Sequence, residues 1–384
     1  MIRSTVARVD LAALQSNFRA IREFVGGPEG PPLHTAGRSA GPSGPAIIAV
    51  VKANAYGHGA ERVALALEQA GATMLACADI EEGIVLRRAG VTRPILVFGA
   101  LSVSDLDGLF EYSLTPTIST PSAARAVQAA AVKRNTVCRY HLKIDTGMHR
   151  LGFRYDNLRR TLPELLASPN LQLDAVYTHF ATADNPESDL FDTQRTRFEA
   201  ALATIDRPVL RHAANSAAVL RDSRVWYDVV RPGLLMYGIV PPPLASTIPL
   251  KPVMSLTSRV VGVKGLRPGE TVGYGGRFSS TTPATVAVVP AGYADGLDLR
   301  LEGRGHVLVR GRRVPIVGAV SMDMMTVDVT GLDDVQPGDE VVLIGSQGTE
   351  SWQQIDVREM AAAIGTIPYE IVCRVGSRIE RQYT

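Results

Sequence analysis

Eight short β-rich runs constrain this chain more than any other feature. They cover residues 47–52, 73–79, 95–99, 114–119, 140–145, 173–180, 209–215 and 226–231, with helix-compatible stretches between them. An open doubly wound sheet more often stops at about five to seven strands, whereas eight strands alternating with helices over roughly 200 to 250 residues is the arithmetic of a (β/α)8 barrel. The spacers agree: residues 61–70, Glu61 to Ala70, set aliphatic and charged side chains at helical spacing and stop at Gly71.

A chain of 384 residues exceeds what one growing core accommodates, so a second domain is expected. The texture changes near residue 248. Short strands then dominate, at 255–263, 285–289, 307–309, 314–320, 325–329 and 340–344, with turns at Pro268-Gly269 and Pro337-Gly338. The predicted fold class is therefore α/β: a TIM-type (β/α)8 barrel over 1–248, followed by a mainly-β domain over 249–384. Residues 26–45 are too rich in Gly and Pro for regular structure and read as a mobile surface loop, in which His34 earns no functional weight.

A net charge of +2 with 20% charged residues gives no bias toward polyanions, so small molecules are the expected partners and nucleic acid is not. Cys77, Cys138 and Cys373 are scattered, with no CxxC and no even framework, which fits a reducing cytoplasm; no metal site is expected. No stretch reaches the roughly 18 apolar residues of a membrane span, and the N-terminus lacks an apolar signal core. A cytoplasmic location follows as the expectation.

Barrel chemistry collects at strand C-terminal ends. Lys52 closes the first run, where desolvation disfavours its ammonium form and frees a lone pair able to hold a carbonyl compound as a Schiff base. Taken alone, it is read first as a lysine that snorkels past the strand end into solvent, and only the rest of the chain reverses that order. Other strand ends bring Lys143 and Arg150, His179, Asn215 with Ser216, and Arg231-Pro232-Gly233-Leu234. A hydroxyl and bare amides after strands seven and eight suit a phosphate. A carbonyl-holding lysine facing an anion cradle suggests pyridoxal 5′-phosphate, with Arg231 at the pyridine nitrogen, a position that takes an Asp or an Arg in such sites.

Five segments then resemble bacterial alanine racemases of the pyridoxal-phosphate fold-type III class. They are Ala49-Val50-Val51-Lys52-Ala53-Asn54-Ala55-Tyr56-Gly57-His58-Gly59, residues 141–152 around Lys143 and Arg150, Tyr177-Thr178-His179-Phe180, His212-Ala213-Ala214-Asn215-Ser216 and Arg231-Pro232-Gly233. The resemblance continues through Gly273-Tyr274-Gly275, Gly292-Tyr293-Ala294-Asp295-Gly296, Ser321-Met322-Asp323 and Ile367-Pro368-Tyr369. It implies a homodimer, head to tail, that interconverts L- and D-alanine for peptidoglycan precursors. Inversion at Cα needs a base on each face; the resemblance names Lys52 for one and Tyr274, delivered by the partner subunit, for the other, with His179 assisting and Arg231 and His212 linked behind it. It gives Tyr56 and Tyr369 to the phosphate, Arg150 to the cofactor oxygen or substrate carboxylate, and the Met322 amide to the carboxylate. It puts Tyr293, Ile367, Tyr369 and Asp184 at the substrate entrance, with Asp323 in support beside Met322, and aligns Lys143 with a lysine carbamylated in some members.

Two positions depart from the family pattern: Ala319 stands where an arginine is common, and Leu297-Asp298-Leu299 delays the arginine to Arg300. Both belong to the entrance, so serine, lysine or broad specificity stays open beside alanine. A non-catalytic barrel that stores the cofactor is a further alternative, although such proteins commonly lack the second domain.

Overall fold

Each apolar run holds a strand in the computed structural model, which describes residues 4–26, 44–101, 106–348 and 353–384. Most of the predicted loop 26–45, His34 included, lies outside the described residues. The strands are β1 Ala46–Val50, β2 Met74–Cys77, β3 Ile95–Val97, β4 Thr115–Ile118, β5 Cys138–Asp145, β6 Leu171–Tyr177, β7 Leu210–His212 and β8 Val229–Val230. Neighbours are parallel throughout, β4 meets β5, and β8 returns to β1, so the ring closes as a barrel. Every residue of β2, β3 and β4 is buried, as expected of strands covered on both faces.

Most strands are shorter than their runs because the run ends become turns. The clearest case is 226–231: only Val229–Val230 is strand, since Ser223–Val225 forms a 3-10 turn and Tyr227 takes φ 50°. The connecting helices show why they form. Ala60–Gln69 buries Val63, Ala64, Ala66 and Leu67 on one stripe. Ile80–Arg88 starts at Asp79, which accepts the Glu82 N–H, and places Glu81 and Glu82 in its first turn and Arg87 and Arg88 in its last, each sign matching the helix dipole.

The chain divides into two units, one of residues 14–55 with 60–250, the other of residues 1–13 with 56–59 and 251–384. This corrects the expected boundary, which assigned all of 1–248 to the barrel. Strand Val6–Val9 pairs with Met254–Arg259 on one side and Glu380–Tyr383 on the other, and so belongs to the β-rich unit. Its buried Val6 and Val9 contribute roughly 1.5–3 kcal/mol each by leaving water. A second correction concerns 255–263, expected as one strand. Met254–Arg259 pairs with Glu340–Gln347, the chain breaks at Val260 and Val261, and Gly262–Leu266 pairs with Ala284–Val289. Among the described residues no helix is long and apolar enough to cross a membrane.

Candidate active site

Lys52 leaves the barrel sheet just past its last bond, which Val51 N–H donates to Ala76 O at 2.8 Å. The next four residues, Ala53, Asn54, Ala55 and Tyr56, all have left-handed backbone, with φ of 53°, 52°, 54° and 53°. Left-handed helical backbone costs L-residues roughly 1–2 kcal/mol apiece. Three hydrogen bonds offset this: Ala53 N–H to Glu82 Oε1 at 2.7 Å, Ala55 N–H to Val51 O at 2.8 Å, and Ala60 N–H to Asn54 Oδ1 at 2.8 Å. The sequence read simply as a turn here; the left-handed run is a finding of the structure.

Inside the barrel, Arg231 is 3% exposed and organises three rings. Its Nη1 donates to His212 Nδ1 at 2.9 Å, and its Nη2 to His179 Nδ1 at 3.2 Å, Thr178 O at 2.9 Å and Ala213 O at 3.0 Å. A guanidinium only donates, so both Nδ1 atoms accept and each neutral ring carries its hydrogen on Nε2. His212 Nε2–H therefore donates to His141 Nδ1, 3.0 Å away. Burial, then the charge of Arg231, holds His179 and His212 well below the usual histidine range, so both are neutral at pH 7. Burial also pushes Arg231 down to about 10, still charged at neutrality. Its Nε–H meets no acceptor among the described residues.

Tyr177 is the floor of this cluster. Its ring stacks on His212 with centroids 4.6 Å apart, its hydroxyl lies 3.0 Å from Thr117 Oγ1, and Arg231 and Lys143 sit 5.2 and 5.6 Å from its centroid. Gln194 braces the cluster from outside, donating to His179 O at 3.0 Å and accepting Ala181 N–H at 2.8 Å. Sequence reasoning gave no role to Tyr177, Gln194 or His141. Two of them had a signal: Tyr177 is two residues before His179, and His141 two before Lys143 on the same face of β5.

Around strands seven and eight, Ser216 Oγ accepts Gly233 N–H at 2.9 Å, and Asn215 spends its side chain on Ala218 N–H at 3.0 Å as helix cap. The expected bare amide at Gly233 is thus corrected: it is committed to the serine hydroxyl. The Ser216, Ala217 and Leu234 amides have no acceptor among the described residues.

Lys143 is 6% exposed, and burial, aided by Arg150 and Arg231, lowers its amine to about 8. Arg150 itself is exposed, in a loop set by Asp145, whose Oδ1 accepts the Gly147, Met148 and His149 amides at 3.0–3.1 Å.

In the β-rich unit, Tyr274 is 78% exposed in a turn between Gly273 and Gly275, both with φ 74°. Gly292 lets two loops meet: Tyr293 N–H donates to Ser321 O at 3.0 Å and Ala294 N–H to Met322 O at 3.1 Å, while the Met322 amide has no acceptor among the described residues. Asp323 is held by Arg378 at 2.7 Å, and Tyr293, Met322, Leu299 and Ile367 are exposed. Tyr56 and Tyr369 face each other in this unit, rings 5.9 Å apart.

Comparison with known proteins agrees over the whole length. Residues 33–241 match the alanine racemase N-terminal domain and residues 253–383 the alanine racemase C-terminal domain. An alanine racemase of Carboxydothermus hydrogenoformans is 40% identical over 391 residues, covering 100% of both chains. Among solved structures, alanine racemase from Bacillus anthracis with bound L-Ala-P superposes with TM-score 0.87 at 36% identity, covering 100% of this chain and 96% of that one. Alanine racemase from Bartonella henselae with covalently bound pyridoxal phosphate gives TM-score 0.85 at 28% identity, covering 99% of each.

Proposed function

This chain belongs to the alanine racemase family of isomerases, and on that footing we propose that it interconverts L- and D-alanine by two bases with pyridoxal 5′-phosphate held at Lys52. The barrel unit fits that cofactor. Leu234 and Ser216 offer unspent amides to a phosphate, Lys52 stands at a strand end for the aldehyde, and Arg231 Nε–H is a spare donor for an unprotonated ring nitrogen. When bound, the cofactor supplies an electron sink that makes the substrate Cα–H acidic.

The remaining chemistry belongs to the chain. Lys52 Nζ takes or returns the Cα proton on one face, and the Tyr274 hydroxyl does so on the other. A phenol with ordinary pKa of about 10 needs help near neutrality. His179 supplies it: neutral, with its hydrogen on Nε2, it donates to a phenolate and so favours the ionised form. Arg231 carries this reading, because a donor-only group in contact with both histidines fixes their tautomers. Arg150 and the Met322 amide hold the substrate carboxylate.

Tyr274 serves a second copy of the chain in a head-to-tail homodimer, a role supported by its exposure on a glycine-framed turn. The enzyme is cytoplasmic, and its D-alanine supplies peptidoglycan precursors. Lys143 is carbamylated: its amine, lowered to about 8, adds to carbon dioxide, releases a proton and becomes an anion beside Arg150 and Arg231. An intact mass lacking one added carbon dioxide would remove that assignment.

Deuterium uptake at Cα in heavy water tests the reaction. Both enantiomers of alanine should exchange in wild type, and Tyr274→Phe should keep exchange from one enantiomer while losing at least about a hundredfold from the other. No uptake with added cofactor would sink the proposal. Rates on enantiopure serine and lysine measure the effect of Ala319 and Leu299 at the entrance.

A further inference from the structure

We propose that Glu82 is a positioning residue for Lys52, its carboxylate clamping the left-handed turn that aims the amine. The inference rests on the role assigned above to Lys52. Glu82 lies in the first turn of helix Ile80–Arg88, where Asp79 Oδ1 accepts its N–H at 2.8 Å as an ordinary helix cap. A glutamate three residues after a cap ordinarily turns back to the cap's own amide. This one accepts Ala78 N–H with Oε2 at 2.7 Å and Ala53 N–H with Oε1 at 2.7 Å.

One carboxylate therefore ties together the chain leaving β2 and the chain leaving β1. The two strands are neighbours in the barrel, so the clamp is referenced to the sheet. Ala53 N belongs to the peptide plane that follows Lys52, and its bond fixes the backbone from which the lysine side chain departs. Packing cannot do this, because Ala53 and Asn54 are exposed and Ala53 carries only a methyl group. The bonds of Ala55 and Asn54 hold the far side of the turn; Glu82 holds the near side. Both of its bonds are short and charge-assisted, the strong kind. A turn in disfavoured backbone, exposed and yet anchored by an ionised side chain from the next βα unit, is how a flexible lysine is held to one approach direction. Orientation errors of an ångström cost a proton-transfer group dearly.

The test uses full-length holoenzyme carrying Glu82→Ala, Glu82→Gln or Asp79→Ala. Expected for Glu82→Ala are at least tenfold faster amide exchange in the peptide covering residues 51–56, a shift of more than about half a unit in the pH midpoint of the cofactor's visible absorbance, and kcat down at least about tenfold with KM for alanine within about threefold. Glu82→Gln keeps one acceptor oxygen and should fall between. Asp79→Ala removes the cap of the same helix and should lower Tm while leaving the midpoint in place. Unchanged exchange and midpoint in Glu82→Ala, or an equal midpoint shift in Asp79→Ala, overturns the proposal. Should Glu82→Ala fail to fold, Glu82→Gln decides on the same readings. Failure of the Lys52 assignment is distinguishable: wild type would then show no pyridoxyl group on Lys52 after borohydride reduction and peptide mapping, and the positioning role would fall with it.

Discussion

Arg231 Nη1 lies 2.9 Å from His212 Nδ1, and because only the arginine can donate in that pair, the bond sets the hydrogen positions of the whole inner layer. The same guanidinium depresses both His179 and His212, second only to burial. Arg231→Gln should therefore move both imidazoles upward toward 6.5, and it frees the tautomer of each ring, since an amide can donate or accept. Imidazole proton shifts followed by NMR across pH check this. A fall in kcat of at least about a hundredfold should accompany it; histidine titrations that do not move would mean that burial alone governs the rings.

The sign of the pH dependence of folding follows from the same two rings. Unfolded, a histidine binds its proton near pH 6.5; folded, His179 and His212 do so only well below that. Below 6.5 the unfolded state binds more protons, so their contribution to stability is fully present above that pH and is lost as pH falls toward the folded values. Each ring can contribute a slope of up to about 1.4 kcal/mol per pH unit in that window. Urea unfolding at pH 7.5 and 5.5 should show wild type losing more stability than His212→Gln over that interval. Equal losses would show that His212 is not held neutral.

Much of this was legible from the sequence, for identifiable reasons. A strand buried on both faces writes itself as an unbroken apolar run, and the strand ends are where barrels carry chemistry, so Lys52, Lys143, His179, Ser216 and Arg231 all stood out. What stayed hidden depends on contacts across the chain. Val6–Val9 reads like any short strand until it pairs with Met254–Arg259 and Glu380–Tyr383, hundreds of residues away, and those pairings move the N-terminus into the β-rich unit. Glu82 and Gln194 sit on helices whose charge and polarity look like ordinary solvated faces. Their partners are backbone groups of other segments, which leave no mark in side-chain identity. The Gly233 amide looked free because its acceptor, Ser216 Oγ, comes from the preceding βα unit.

Gly292 offers a test confined to the β-rich unit. A Cβ there would stand 2.3 Å from Ser321 O and 2.4 Å from Met322 O, so Gly292→Ala must push the two loops apart. Overpacking of this kind costs about 1–3 kcal/mol. The Met322 amide shares a peptide plane with the Ser321 carbonyl and moves with it, so KM for alanine should rise roughly tenfold while kcat changes less, the pattern of binding lost equally from ground and transition states. Steady-state kinetics with calorimetry checks both halves, and an unchanged KM would remove the Met322 amide from the substrate site.

The proposed sharing of active sites between two chains makes a quantitative statement about mixtures. Lys52→Ala and Tyr274→Phe should each be nearly inert in racemisation. If every site takes Lys52 from one chain and Tyr274 from another, a heterodimer of the two variants has one site with both lesions and one with neither. Random reassortment at equal amounts makes half the dimers mixed, so activity should return to about a quarter of wild type. If both bases came from one chain, every site in every combination would lack a base and mixing would restore nothing. Co-refolding the two variants and assaying racemisation against the unmixed controls distinguishes these outcomes, because the regained fraction counts intact sites rather than stability or expression.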